Sequence, residues 1–257
     1  MKKVILLGLF LTIPFISLFA QTGNLVLIEE FTETGCGACS QYDSSFQALT
    51  NANAEKVVVL NYHCFYSLDT FYTYYKACDK RSGFYGNIVG FPSALANGQL
   101  PEKSSSHLSY INQSLINRLY NREPQFKFDI VSTSTGKGDR HSTSIKVKAT
   151  ALKAYTGKNL RLFIAITENN IDHEKRYNKK SVNGVNAFNH ILRAHVPGPD
   201  GILIGPQKAG KVNKLSASFA NDDKEINFKE VRVVVFVQDM TTKEVLGAAV
   251  TKEHPFK

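Results

Sequence analysis

The sequence predicts a chain in two parts, an α/β domain over residues 21–121 and an all-β domain over residues 122–257. Two observations lead to this prediction. In the first part, short apolar runs alternate with segments whose apolar residues recur every three or four positions, as in helices that cover a sheet. In the second part, apolar and polar residues alternate with a period of two in about seven stretches, which is typical of a β-sandwich.

The elements of the first part follow in alternating order. Continuous apolar runs predict buried strands, and periodic segments predict helices, one of which Asp69 would cap. The predicted strands cover residues 25–28 and 57–62, and the predicted helices cover residues 36–52, 70–81 and 104–120.

The second part is predicted to contain strands alone. Their apolar residues alternate with polar ones, and turn-forming residues separate them. The predicted strands lie at residues 126–130, 145–151, 160–166, 188–196, 215–219, 231–237 and 245–250.

Residues 1–20 predict a signal peptide. Lys2 and Lys3 precede an apolar run at 4–19, and Ala20 lies at a plausible cleavage point. The short run and its Pro14 favour a cleaved signal over a retained anchor. We therefore expect an exported protein, in a compartment where disulfides persist.

The charge is unevenly distributed. The formal charge of +9 falls to +7 when the two lysines of the signal are removed. Residues 21–121 carry six Lys/Arg and eight Asp/Glu, whereas residues 122–257 carry 23 and 14. The basic second part allows peripheral association with an anionic envelope surface, although scattered charges favour simple solubility. Neither a phosphate loop nor a nucleic-acid motif is found, so nucleic acid is not an expected partner.

A Cys-Gly-Ala-Cys motif at residues 36–39 follows the first strand and opens the first helix. The attacking species in disulfide exchange is the thiolate, and a helix N-terminus lowers the pKa of a cysteine. Cys36 is therefore the predicted nucleophile, and Cys39 lies on the same helix face as the resolving thiol. The motif alone leaves open a static disulfide or a metal site formed by Cys36, Cys39 and His63.

Two further features resemble the thioredoxin superfamily. Glu30 lies six residues before Cys36, where members carry a buried acid, and residues 90–98 read GFPSALANG, like the cis-proline strand of the superfamily. The resemblance implies that Glu30 exchanges a proton with Cys39 and that Pro92 is cis. It also implies that the backbone of Phe91 pairs with an extended client peptide. Gly35 and Ala38 stand where thioredoxins usually carry Trp and Pro.

Cys64 and Cys78 form a second cysteine pair. We predict a structural disulfide between them, which would tie the helix at 70–81 to the end of the strand at 57–62. A second redox pair and two free buried thiols are the alternatives.

The second part has a resemblance of its own. Residues 162–168 (LFIAITE), 189–193 (NHILR), 235–239 (VFVQD) and 243–246 (KEVL) look like the Bacteroidetes outer membrane protein 28 family. That family pairs an N-terminal thioredoxin-like domain with an immunoglobulin-like sandwich. The resemblance implies an envelope protein, in the periplasm or at the outer membrane.

Two functional hypotheses follow. The first is an exported thiol-disulfide oxidoreductase that needs no cofactor and acts on protein thiols or disulfides, together with an envelope redox partner. The second is an outer-membrane-associated binding or adhesin-type protein that uses the thioredoxin fold as an inert scaffold. The sequence does not determine the direction of electron flow or the oligomeric state.

Overall fold

The structure is a computed structural model that describes residues 24–64, 69–71, 78–86, 88, 90–99, 110–137, 140–221 and 226–251. The predicted signal peptide lies outside the described residues, as do residues 72–77 and 104–109 of two predicted helices. The helices are α1 (Gly37–Ala52), α2 (Cys78–Tyr85), α3 (Gln113–Tyr120) and α4 (His173–Tyr177).

The strands of the first part are β1 (Val26–Thr32), β2 (Val57–His63) and β3 (Ser93–Ala96). The strands of the second part are β4 (Phe126–Lys137), β5 (Arg140–Ala151), β6 (Leu160–Glu168), β7 (Ile171–Asp172), β8 (Ala187–Phe188), β9 (Ile191–Val196), β10 (Ile202–Leu203), β11 (Val212–Asn221), β12 (Val231–Asp239) and β13 (Val245–Val250). The alternating pattern of the sequence is thus confirmed for the main strands, and the chain is a sheet-rich α/β protein.

The first part is built around β1. Strand β2 pairs with it in parallel through the crossover helix α1, and β3 pairs antiparallel on its other edge. Helices α1 and α3 cover one face, where Phe46 and Ile116 pack against Ile28 and Val59. This arrangement is consistent with the predicted thioredoxin-like domain, and it places the start of α1 beside the start of β3.

Two helices begin or end at residues other than the predicted ones. Helix α3 begins at Gln113, because the side chain of Asn112 accepts the Leu115 N–H at 3.0 Å and caps it. Helix α2 continues to Tyr85, beyond its predicted end at Arg81, while the described residues before it, Thr70 and Phe71, lie in a turn.

In the second part, two sheets pack face to face. Strands β4, β5 and β11 form a three-stranded sheet, which covers one face of β6, β12 and β13. Phe128 and Val147 meet Ile164 and Val235 in the core between them. Each fully buried side chain of this size contributes about 1.5–3 kcal/mol relative to leaving it exposed. This agrees with the predicted sandwich; its immunoglobulin-like topology stays a prediction.

One sheet runs through both parts. Its hydrogen-bonded order is β13-β12-β6-β9-β2-β1-β3, with β9 joined in parallel to β2 at Asn61 and Ile191. Strand β12 is consequently buried on both faces: Val235 faces the sandwich core, and Phe236 faces a second core shared with Leu60 of the first part. The two predicted parts therefore share a sheet and a hydrophobic cluster.

A tight turn after β3 joins the first part to the second through a backbone hydrogen bond. Asn97 and Gly98 have φ angles of 49° and 73°, in the left-handed region that favours glycine. The Asn97 carbonyl accepts the Val245 N–H at 3.0 Å, and a Cβ at Gly98 would overlap the Lys243 carbonyl oxygen. The Asn-Gly pair is thus needed for this close approach.

Candidate functional site

The Cys-x-x-C pair lies at the start of α1 and is joined as a disulfide, with the two Cα atoms 5.2 Å apart. Cys36 is the N-cap residue, and its Sγ accepts the N–H of Cys39 at 3.0 Å. Cys36 is half-buried, whereas Cys39 has no exposed surface. This difference in access lets an incoming sulfur reach Cys36 and shields Cys39.

The loop before β3 faces the disulfide. The Phe91–Pro92 peptide bond is cis, which confirms the prediction of a cis Pro92, and Pro92 is buried. The Phe91 carbonyl oxygen lies 3.6 Å from Cys36 Sγ. The backbone of Phe91 is thus in contact with the Cys36 sulfur; its pairing with a client peptide stays a prediction. A second cis bond, Val196–Pro197, follows from no pattern in the sequence.

A buried aspartate supports the loop that precedes Cys36. Asp69 accepts the Thr34 N–H at 2.5 Å and the Phe71 N–H at 2.8 Å, and its Oδ2 lies 2.8 Å from His63 Nδ1. Because both backbone contacts use Asp69 as an acceptor, the His63 Nδ1–H donates to it and leaves Nε2 as the acceptor nitrogen.

The second part also contacts the site. Asn183 donates its backbone N–H to the Thr34 carbonyl at 2.8 Å and its side-chain amide to the Cys36 carbonyl at 3.4 Å. Neither this contact nor the role of Asp69 has a local signal in the sequence, because both join segments far apart in the chain.

Glu30 lies on β1 beneath α1 and is only 3% exposed. Its Oε1 has no hydrogen-bond partner among the described residues. Burial, and secondarily the charge of Asp43, holds the pKa of Glu30 well above its ordinary value. Asp43 is one helical turn after Cys39 and therefore on the same face of α1. Glu30 and Asp43 line the same small cavity, so Glu30 lies beneath the face of α1 that carries Asp43.

The predicted Cys64–Cys78 disulfide is corrected by the structure: both residues are free, buried thiols. They lie in the apolar cluster shared by the two parts and share a hydrogen bond. Burial raises the pKa of Cys64 far above that of an exposed thiol. Because only the thiolate attacks sulfur, burial makes this pair a poor nucleophile.

The described residues do not support the alternative of a metal site formed by Cys36, Cys39 and His63. Within the part of the chain that the structure describes, no group of three or more His, Cys, Asp and Glu side chains lies in a position to hold a metal ion. His63 is instead bonded to Asp69 and packs edge-on against Phe71.

The fold and the site define an α/β chain with a helix-capping Cys-x-x-C that faces a cis-proline loop. Its fold is similar to that of HBP35 of Porphyromonas gingivalis, with a TM-score of 0.66 and 18% identity over 92% of this chain and 78% of that one. This likeness shows a shared fold.

Two further solved structures are similar at TM-scores below 0.5, too low to add to that conclusion. Protein AGR_C_4864 from Agrobacterium tumefaciens has a TM-score of 0.47 and 16% identity over 90% of this chain and 96% of that one. A domain of the outer membrane lipoprotein Omp28 from Porphyromonas gingivalis has a TM-score of 0.31 and 18% identity over 49% of this chain and 88% of that one. The sequence matches no protein-family model. No curated protein matches it either.

Proposed function

We propose that this protein is an exported thiol-disulfide oxidoreductase of the cell envelope. The observation that carries the proposal is the asymmetry of the cysteine pair. Cys36 is half-buried, accepts a backbone N–H and contacts the carbonyl of Phe91, whereas Cys39 is fully buried. An accessible sulfur stabilised by a backbone donor is the geometry that a nucleophilic thiolate requires.

In the reducing direction, the Cys36 thiolate attacks a client disulfide. A bond forms between Cys36 and one client sulfur, and the other client sulfur leaves as a thiolate and takes a proton from water. Cys39 then transfers its proton to Glu30 and attacks the Cys36 sulfur. The Cys36–Cys39 disulfide forms, the second client thiolate leaves and is protonated, and two electrons have passed to the client. Oxidation of a client is the reverse sequence.

The remaining residues have assigned roles in this proposal. Glu30 is the proton acceptor for Cys39, and burial raises its pKa above that of an exposed glutamate, which makes its carboxylate a better proton acceptor. Phe91 and Pro92 form the platform for an extended client. Export rests on the signal-like residues 1–20. Among the described residues, no helix is long and apolar enough to cross a membrane.

Trapping of a client tests the proposal. We expect a Cys39→Ala protein to accumulate a mixed disulfide with a disulfide-containing peptide, because the resolving thiol is missing, and a Cys36→Ala protein to accumulate none. Cys64→Ala is the matched control and should exchange at the wild-type rate. Equal trapping by the Cys36→Ala and Cys39→Ala proteins, read by mass spectrometry, would contradict the proposal.

A binding function is the second candidate, and a cavity between the two parts favours it. The cavity of about 440 Å³ lies between the end of α1 and the shared sheet, with an apolar wall that includes Val58, Val234 and Val250 and a polar edge that includes His190 and Arg232. Its size is that of a small-molecule site. A binding protein should keep its affinity for envelope vesicles after Cys36→Ala/Cys39→Ala and lose it after Val250→Phe; the opposite pattern would exclude it.

A further inference from the structure

Three buried polar atoms without partners belong to residues that line one small cavity beneath α1. They are Glu30 Oε1, Asn61 Oδ1 and His63 Nε2, each without a hydrogen-bond partner in the described part of the chain. All three residues line a cavity of about 20 Å³ between α1, β1 and β2, and Asp43 lines it as well. Unpartnered buried polar atoms are rare in folded proteins, so such a group points to a bound molecule.

One water molecule fits this cavity. A cavity needs about 10–15 Å³ to hold a water, together with two to four polar partners. A water here can accept a hydrogen bond from protonated Glu30 and donate its two hydrogens to two of the acceptors that line the cavity, which are Asn61 Oδ1, His63 Nε2 and the Asp43 carboxylate. The assignment of His63 Nε2 as an acceptor follows from the bond between His63 Nδ1 and Asp69. A single water, which both donates and accepts hydrogen bonds, therefore suits the polar lining of this cavity.

Asp43 provides a path from this water to the surface. Its side chain is partly exposed on α1, whereas Glu30 and His63 are each only 3% exposed. Burial raises the pKa of Asp43 to about 6. The titratable residues that line the cavity are Glu30 on β1, Glu33 after it, Asp43 on α1, His63 on β2 and His190 before β9.

We propose that a single buried water and Asp43 form the proton path between Glu30 and solvent. The inference rests on the proposed exchange reaction. When Cys39 attacks Cys36, its proton passes to the Glu30 carboxylate; Glu30 then passes a proton to the water, the water passes one to Asp43, and Asp43 releases it to solvent. Asp43 is a relay residue that touches neither sulfur, and the path runs in reverse when a client is oxidised.

A two-phase exchange measures this path. The reduced protein is mixed with an excess of an aromatic disulfide whose thiolate product absorbs visible light. Attack by Cys36 releases the first thiolate, and attack by Cys39 on the resulting mixed disulfide releases the second. The proton path serves only the second step. Stopped-flow absorbance at several pH values gives both rates, and Asp200→Asn, an exposed substitution in the second part, is the charge-matched control.

We expect Asp43→Asn to leave the first phase unchanged and to slow the second about tenfold, a modest share of what a proton-transfer group contributes. Asp43→Glu should restore most of the rate, and a small carboxylate buffer such as formate should accelerate the second phase of Asp43→Asn alone. These two measurements also separate loss of the relay from a folding defect.

Two results would overturn the relay. A second phase of Asp43→Asn with the wild-type maximum rate but a shifted pH midpoint would reduce Asp43 to an electrostatic neighbour of Glu30. An unchanged rate and profile would remove its role altogether. In both cases the wild-type protein still shows two phases, so the proposed exchange reaction stands. A wild-type protein without a second phase would overturn the exchange reaction and the relay together.

Discussion

Two adjacent glutamates on β1, Glu29 and Glu30, lie in different hydrogen-bonding environments. Glu29 and Glu30 are both buried, and they point to opposite faces of the same strand. Glu29 accepts hydrogen bonds from Arg81 Nε at 2.7 Å and Nη2 at 2.9 Å, from Tyr62 at 3.0 Å and from Tyr85. On the other face, Glu30 has no cationic partner in the described residues. Its Oε1 has no hydrogen-bond partner there either, and the residue lines a small cavity.

The difference separates a structural acid from the acid that we propose takes part in the exchange reaction. A buried charge that is paired and fully hydrogen-bonded holds its surroundings in place. A buried acid without compensation carries a large pKa shift, which is a liability for stability and a feature of catalytic sites. The network of Glu29 extends through Tyr85 to Gln238 on β12, so it also joins the two parts of the chain.

The largest effect is expected at Glu29. Glu29→Gln leaves the buried guanidinium of Arg81 without its counter-charge and should lower the free energy of unfolding by about 3–5 kcal/mol. Glu30→Gln is the matched control on the neighbouring position. It should change stability little or raise it, because it removes an uncompensated carboxyl. Urea denaturation at neutral pH measures both, and equal losses for the two variants would erase the distinction.

A smaller effect is expected in the pH dependence of stability at Glu30. Below pH 4.5, the ordinary pKa of a glutamate, the folded and unfolded chains both keep the proton. Above it, the unfolded chain releases the proton first, because the folded pKa is raised. Glu30 therefore lowers stability as the pH rises from 4.5 to its folded pKa, by at most about 1.4 kcal/mol per pH unit.

Glu30→Gln should remove this slope from urea midpoints measured across that range. A wild-type protein and a Glu30→Gln protein with parallel pH profiles would show that Glu30 titrates normally in the fold.

A third effect, confined to acidic pH, concerns His195, at the uncharged end of the Glu29 network. Its Nε2 lies 3.1 Å from the Tyr62 hydroxyl, and burial, followed by the charge of Arg81, lowers its pKa from 6.5 to about 3. The unfolded chain therefore binds a proton on this histidine first as the pH falls. Stability should decline from pH 6.5 towards pH 3, and His195→Gln should flatten that decline. A steeper decline in the variant would contradict the assignment.

The contrast between the glutamates also shows what the sequence can predict. The burial of Glu30 could be predicted, because its spacing from Cys36 and the GFPSALANG segment form a local pattern that resembles the thioredoxin superfamily. The network of Glu29 could not, because Arg81 is 52 residues away and no local signal pairs them. The side-chain atoms of Asn61 and His63 that lack hydrogen-bond partners in the described residues could not be predicted either, because their burial depends on how α1 packs on the sheet.

Two other outcomes have similar causes. The strand β12 was predicted as one face of a sandwich, yet its run of apolar residues at 233–237 is uninterrupted because both of its faces are buried. The Cys64–Cys78 disulfide was predicted from the compartment and from the predicted helix and strand that it would join, neither of which reports that the two thiols lie inside an apolar cluster. In each case the missing information is the contact between the two parts.

The most direct test of the exchange reaction is the pH dependence of Cys36 alkylation in the reduced mature protein. Mass spectrometry follows Cys36 alone and separates it from the buried thiols. The backbone donor from Cys39 and the start of α1 stabilise a thiolate at Cys36, so the rate should have its midpoint clearly below the value of about 8.5 for a free thiol. A midpoint at or above that value would contradict a redox role for the pair.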